Sequence, residues 1–442
     1  MSTPLSSPAQ PAERPATTPR PAGRLVSRTV GLDDPGPLLD LLPPGDAEPL
    51  AWVRRGEGLV GWGRAARIRT SGPDRFADAE RRWRELLGGS VVRDEVRLRG
   101  TGPVAFGSFA FADASASESV LEVPETVVGH RDGRWWLTRT TVQAPGARAA
   151  AELPGPVEAP APHGRPEPPR DVTFADGSVT STEWELLVAA AVARIGRGDV
   201  DKVVLARDLL ARASAPLDVR SVLQRLAAAY PATWTFHVDG LVGATPEMLV
   251  RTHVRLVASR VLAGTIRRTG DDEHDLALAA SLARSSKDLG EHEYAVRSVV
   301  EALEPFCAGT NVPESPFVLH LANVMHLATD VTGVLRDGVS SLRLAAALHP
   351  SAAVCGTPTG AAAGLIADLE GMDRGRYAGP VGWLDADGDG EWGIALRCGQ
   401  LGDDATEVRL FAGCGIVDGS DPAAELAEST AKLVPMRDAL GG

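Results

Sequence analysis

Lys202 lies in the stretch Val200-Asp-Lys202-Val-Val204-Leu-Ala206. In an extended strand the period of two puts it on one face with Val200, Val204 and Ala206. An apolar setting of that kind lowers the pKa of an ammonium group, which makes a lysine a general base near neutral pH. A lysine that guards a strand edge against aggregation has the same local pattern, and the strand alone favours that reading. Glu247 follows Thr245-Pro246. A carboxyl group partly buried there would have a raised pKa and keep its proton, as a general acid must, although in isolation a solvated residue beside a proline bulge is the simpler alternative. A third set is acidic and helical: Glu291 in Lys287-Asp-Leu-Gly-Glu291-His-Glu293, and Glu425 and Glu428 one turn apart, with Lys432 a further turn along. Carboxylates from two helices suit Mg2+, which takes one or two of them and keeps waters or substrate oxygens. Glu428 with Lys432 at i,i+4 also reads as an ordinary surface ion pair.

Other patterns are set aside. Asp385-Ala-Asp387-Gly-Asp389-Gly390-Glu391 imitates the first half of a calcium loop, but Leu396 occupies the position where a bidentate Glu is required. Residues 385–391 therefore read as a polar hairpin tip. Gly413-Cys-Gly415 follows a strand yet belongs to neither a GxGxxG nor a GxxxxGK[ST] pattern, and GxSxG and HExxH are also missing from the sequence. Having no Cβ, the two glycines could still let backbone amides approach a ligand oxygen. Cys307, Cys355, Cys398 and Cys414 form no CxxC pair and read as small, reduced, buried residues.

The same pattern predicts the elements that must position these residues. Thr182 with Glu185 forms a capping box for a helix that carries Trp184, Leu187, Val188, Ala191 and Ile195 and stops at Gly196. A strand over 200–210 carries Lys202. Strands over 234–238 and 241–250 flank the hairpin dipeptide Asp239-Gly240, another runs over 254–263, and a long helix spans 272–302. A hairpin of 382–384 with 391–397 and a strand over 407–411 precede Asp421-Pro422, a cap and first-turn proline for the last helix. Hairpins and blocks of helices predict an α+β fold with antiparallel sheets rather than a doubly wound parallel sheet. Ahead of them, residues 23–143 hold short strand-like pieces and one helix, over 75–87.

The chain has 442 residues, with 45 Lys+Arg against 58 Asp+Glu and a net charge of -13. The sequence has no concentrated basic face, which opposes nucleic-acid binding. It has no run of the roughly 18 apolar residues that a spanning helix needs, which opposes a membrane protein. The start MSTPLSSPAQ has neither a basic n-region nor an apolar h-region, so the expected location is cytoplasmic. Residues 1–22, with six prolines and no aromatic residue, are expected to be a disordered tail. The Pro/Ala-rich stretch 144–170 is either a domain boundary or a surface loop of one compound domain, and we favour the loop. After it, residues 171–442 hold nearly all the chemistry.

Taken together, these segments resemble the chorismate-utilising enzymes, the family of isochorismate, salicylate, anthranilate and aminodeoxychorismate synthases. The resemblance runs through Asp201-Lys-Val-Val-Leu-Ala-Arg207, Gly243-Ala-Thr-Pro-Glu-Met-Leu249, Leu262-Ala-Gly-Thr-Ile-Arg-Arg268, Ser286-Lys-Asp-Leu-Gly-Glu-His-Glu293 and His326-Leu-Ala-Thr329. It continues through His349-Pro-Ser-Ala-Ala-Val-Cys-Gly-Thr-Pro358, Tyr377-Ala-Gly-Pro-Val-Gly-Trp383, Ala395-Leu-Arg397, Phe411-Ala-Gly-Cys-Gly-Ile-Val417 and Glu425-Leu-Ala-Glu428. These segments keep the family's order across residues 171–440, and residues 24–143 match it only loosely. Lys202, where ammonia-using members usually carry Gln, and the segments at His326 and His349 look like isochorismate synthase. Salicylate synthases keep the lysine too.

The resemblance implies one large α+β unit of antiparallel sheets wrapped by helices, the chorismate-binding enzyme fold, with the N-terminal region packed into it. It implies that Lys202 deprotonates a water attacking C2 of chorismate while Glu247 protonates the departing C4 hydroxyl. It further implies Mg2+ held by Glu291 and Glu428, with Glu425 acting through water. Carboxylates would be bound by Arg397, Tyr377, Lys432 and the backbone around Gly264, Gly413 and Gly415, with His326 lining the pocket. The activity expected is that of a Mg2+-dependent isochorismate synthase feeding menaquinone or a siderophore, the plain N-terminal region leaning toward menaquinone. A salicylate synthase that goes on to release pyruvate, and a silent subunit that only binds chorismate, are the alternatives. The oligomeric state is left open, a monomer included.

Overall fold

The computed structural model describes residues 23–45, 47–143, 160–320 and 324–441. The tail expected over 1–22 lies outside them, as does most of the Pro/Ala-rich stretch, residues 144–159. Among the described residues, two sheets of thirteen and ten strands form the body of the protein. Neighbouring strands run antiparallel, as the hairpin pattern predicts, apart from the parallel pair Arg24–Leu32 and Val91–Asp94. Each sheet mixes strands from both sides of the Pro/Ala-rich stretch. Leu50–Arg54 pairs with Trp234–Val238 in the larger sheet, and Val104–Ser108 with Pro380–Asp385 in the smaller. Three apolar clusters follow, and in one of them Trp52, Phe106, Phe109, Phe236, Trp383 and Trp392 are all fully buried.

Eight helices are described: α1 (Arg75–Leu87), α2 (Ser181–Gly196), α3 (Val219–Ala229), α4 (Asp272–Leu282), α5 (Ser286–Leu303), α6 (Ser341–Leu348), α7 (Thr359–Leu369) and α8 (Pro422–Leu440). Helices α2, α3 and α8 pack on the larger sheet, and α5 and α6 on the smaller. None of the described helices is long and apolar enough to cross a membrane. Helix α2 starts earlier than the sequence predicts, because Thr180-x-x-Glu183 matches the capping box as well as Thr182-x-x-Glu185 does. Thr180 Oγ1 accepts the Glu183 N–H at 3.2 Å, and Glu183 Oε2 accepts the Thr180 N–H at 2.8 Å. The single helix predicted over 272–302 is two helices. Helix α4 ends at Leu282, and Ser285 caps α5 by accepting the Asp288 N–H at 3.2 Å.

Two further differences shape the site. The strand predicted over 241–250 divides at Pro246: Leu241–Thr245 belongs to the larger sheet and Met248–His253 to the smaller. Proline has no N–H to give to either ladder, so the chain changes sheet there. The strand predicted over 391–397 stops at Ile394, as Gly390–Ile394 of the smaller sheet, and a further strand, Cys398–Leu401, follows in the larger. Glu247 and Arg397 therefore both stand where the chain crosses the seam between the sheets.

A buried charge braces that seam. Glu391, 8% exposed, accepts the Trp52 Nε1–H at 2.8 Å and pairs with Arg99. Burial pushes its pKa up, but Arg99, Arg131 and the Trp52 N–H outweigh burial and hold the carboxyl below its ordinary value. A depressed carboxyl stabilises the fold fully above its unfolded pKa and loses that contribution as pH falls through its folded pKa. Replacing Glu391 with Ala leaves Arg99 buried without its partner and is expected to cost about 3–5 kcal/mol in urea unfolding at neutral pH. The gap from the parent protein should narrow as the same measurement is carried into acid.

Candidate active site

Lys202 opens the strand Lys202–Arg212, one edge of which pairs with Glu407–Ile416. Gly413 stands opposite Ala206 and Gly415 opposite Val204. A Cβ on Gly415 would lie 2.8 Å from Lys202 Cε and 3.4 Å from Nζ, so a bare backbone is what lets the lysine side chain lie across the neighbouring strand. Gly415→Ala should push the ammonium group aside, and about 10²-fold in kcat can follow from a displacement of roughly 1 Å. The measurement is steady-state turnover beside a melting curve that should change little. Gly413 is glycine for a different reason: a Cβ there would meet the Leu205 carbonyl oxygen at 2.6 Å.

The other edge of the lysine strand has a gap that the sequence did not reveal. Lys202 and Val203 pair with Gly356–Thr357 and Leu209–Arg212 with Thr173–Asp176, and between the two a buried ion pair takes the place of a strand. Glu370 Oε1 accepts the Ala206 N–H at 2.7 Å, while Arg374 donates to the carbonyls of Val204 at 2.7 Å and Val354 at 2.8 Å and pairs with Glu370. On sequence, Glu370 and Arg374 look like any i,i+4 surface pair. Only their placement against a strand edge distinguishes them.

Glu247 is fixed through its backbone: its N–H donates to Thr245 Oγ1 at 3.2 Å, and its carbonyl accepts from Ile394 at 3.0 Å. Lys202 and Glu247 are both half-buried by surface yet densely surrounded by protein, as groups on the floor of a cleft are. Burial lowers the Lys202 pKa, against the pull of Glu291 and Glu247 and with the help of Lys432. Burial raises the Glu247 pKa, against Arg397, Lys202 and Lys432. Each shift is toward the uncharged form of its group.

Arg397, at the second seam crossing, lies within electrostatic reach of Tyr377, Glu247 and Glu428. Tyr377 is buried and stacks on Phe411 with ring centroids 5.1 Å apart, and burial raises its phenol pKa. Gly264, with φ +77, is the extra residue of a bulge in Leu256–Arg267 opposite Leu327 and His326. Its carbonyl accepts from the His326 ring, and burial, Arg397 and Lys432 together lower the His326 pKa below its ordinary value despite that bond. Helix α8 brings Lys432, whose Nζ donates to the Gly413 carbonyl at 2.9 Å and pairs with Glu428 at 2.8 Å. A further residue unassigned on sequence, Arg207, anchors that helix by donating to Ser429 Oγ and Thr430 Oγ1, each at 2.9 Å.

The candidate metal ligands approach from two sides. Glu291 on α5 acts electrostatically on Lys202, and Glu428 on α8 acts on Arg397. Glu425, one turn before Glu428, accepts from Ser420 Oγ at 2.9 Å. Among the described residues, these carboxylates are not drawn into a cluster of three ligating side chains. As a donor set they are hard oxygens only, which fits Mg2+ and not a metal that prefers nitrogen or sulfur.

Known proteins are similar to this chain in sequence and in fold. The family model described as chorismate binding enzyme matches residues 35–441. MenF of Mycobacterium tuberculosis is 40% identical over 354 residues, which cover 77% of this chain and 87% of that protein. The salicylate biosynthesis isochorismate synthase of Pseudomonas aeruginosa is 36% identical over 414 residues, 88% of this chain and 84% of that protein. The isochorismate synthase MenF of Bacillus subtilis is 31% identical over 405 residues, 87% and 85% respectively. The solved structure of MenF, the menaquinone-specific isochorismate synthase of Escherichia coli, has a TM-score of 0.77 and 24% identity over 95% of each chain, a likeness of fold.

Proposed function

Since this chain belongs to the chorismate-binding enzyme family, we propose that Lys202 and Glu247 are the base and the acid of its isochorismate synthase reaction. The enzyme isomerises chorismate to isochorismate. Lys202, as the free amine, takes a proton from a water as that water adds to C2. Glu247 gives its proton to the hydroxyl leaving C4, and the ring double bonds shift between the two carbons. One water enters and one leaves, so the composition of the substrate is unchanged, and a proton passes from Lys202 to solvent and from solvent to Glu247 to reset the pair. The observation that carries this reading is the opposed effect of burial, which lowers the Lys202 pKa and raises that of Glu247, each toward the form its role needs.

Arg397 binds a substrate carboxylate through its guanidinium fork, with Tyr377, Lys432 and the backbone at Gly264, Gly413 and Gly415 completing the cradle and His326 lining it. Glu291 and Glu428 would hold Mg2+, with Glu425 acting through water, and the bound ion would offset the charge of the ring carboxylate. Residues 171–442 supply all of these groups, and residues 23–143 complete the sheets that carry them. The isochorismate formed feeds menaquinone or siderophore synthesis. Incubation with chorismate and Mg2+ should give isochorismate as the only product, resolved by chromatography, and EDTA should stop turnover until Mg2+ is restored. Salicylate plus pyruvate without a second enzyme would make the protein a salicylate synthase, and no turnover at all would make it a binding subunit.

A further inference from the structure

Helix α5 carries Glu291, and the next residue, His292, is 2% exposed and points into the sheet. His292 Nδ1 lies 3.2 Å from the Ala263 carbonyl oxygen, and Nε2 lies 2.7 Å from Thr329 Oγ1. A carbonyl can only accept, so Nδ1 carries the ring proton and Nε2 accepts from the Thr329 hydroxyl. His292 therefore reaches two strands at once. Ala263 precedes the Gly264 bulge in Leu256–Arg267, and Thr329 lies three residues beyond His326 in Val324–Leu335. The apolar contacts of Val296, Val299 and Val300 hold α5 to the core, but they are non-directional and tolerate sliding and rotation. A pair of hydrogen bonds to fixed points does not. Successive helical side chains stand about 100° apart, so a His292 aimed into the sheet leaves Glu291 on the flank of α5, where Lys202 feels its charge.

We propose that the His292–Thr329 hydrogen bond positions Glu291 as a Mg2+ ligand by setting the height and rotation of α5 on the two strands that carry Gly264 and His326. The proposal rests on Glu291 being a ligand, as argued above. His292 and Thr329 are positioning residues that touch neither metal nor substrate. Comparable groups behind metal ligands are worth about 10–100-fold in metal affinity.

The test is calorimetric titration of the full-length protein with Mg2+, beside the apparent Mg2+ constant for chorismate turnover. Thr329→Val keeps the side-chain shape and removes the hydroxyl. It should weaken Mg2+ binding about tenfold or more, with kcat recovered at saturating Mg2+. Thr329→Ser restores the hydroxyl and should restore the Mg2+ constant, while a melting temperature close to the parent's in the valine variant separates positioning from a purely structural role. Should the valine variant fold poorly, His292→Asn serves in its place, because its shorter amide cannot reach both partners. Glu291→Gln is the reference. If Glu291→Gln weakens Mg2+ binding and Thr329→Val does not, the positioning role is wrong. If Glu291→Gln leaves Mg2+ binding unchanged, the ligand assignment fails, and the positioning role fails with it.

Discussion

Lys202→Ala is expected to lower kcat for isochorismate formation by about 10²–10⁴-fold, the range spanned by loss of a positioned general base, with a much smaller change in chorismate KM. Glu247→Gln should cost a similar factor through loss of the acid. The pH dependence separates the two roles. Turnover needs Lys202 without its proton and Glu247 with one, so kcat/KM rises with pH on the acid side and falls on the alkaline side, whichever group titrates first. The residual activity of Lys202→Ala should lose the rise. Glu247→Gln should lose the alkaline fall instead and keep the rise. Variants that keep kcat, or keep both limbs of the profile, would sink the assignment.

How the chain encodes this pair explains what could be read from sequence. The alternation around Lys202 is local and was legible, as was the hairpin at Asp239-Gly240, where both residues adopt positive φ. The tip at 385–391 is the polar turn the pattern predicts, with the Asp385 carboxylate accepting the N–H groups of Asp387 at 3.1 Å and Asp389 at 3.0 Å. The same stretch hides Glu391, whose buried bond to Trp52 joins residues 339 apart in sequence. Patterns of period two or 3.6 describe which face a residue takes, not which distant element covers that face. The pairing of Glu370 and Arg374 against Ala206 and Val204 was silent for the same reason. The breaks at 246 and 395–397 were missed because both halves of each strand are apolar, and a change of sheet leaves that pattern intact. These breaks matter most for function, since they put an acid and a guanidinium within electrostatic reach of each other where the chain passes between the sheets.

Arg397 should therefore affect both binding and protonation, and two replacements can separate the effects. A hydrogen bond to a charged group is worth about 1.5–3 kcal/mol, so loss of one arm of a fork corresponds to roughly 10–10²-fold in KM for chorismate. Arg397→Lys keeps the positive charge and loses the planar fork. It should raise KM by about that factor while leaving the alkaline limb of the pH profile in place. Arg397→Ala loses the charge as well. Arg397 is the strongest of the charges that hold the Glu247 pKa down, so the alanine variant should raise KM further and move the alkaline limb to higher pH. Residue 397 has φ +50 in the protein, and both replacements must adopt it, so backbone strain is common to the two and cancels in their comparison. A lysine variant that keeps the parent KM would mean that Arg397 acts as a point charge rather than a fork. An alkaline limb that stays put in the alanine variant would mean that Glu247 is not the group that titrates there.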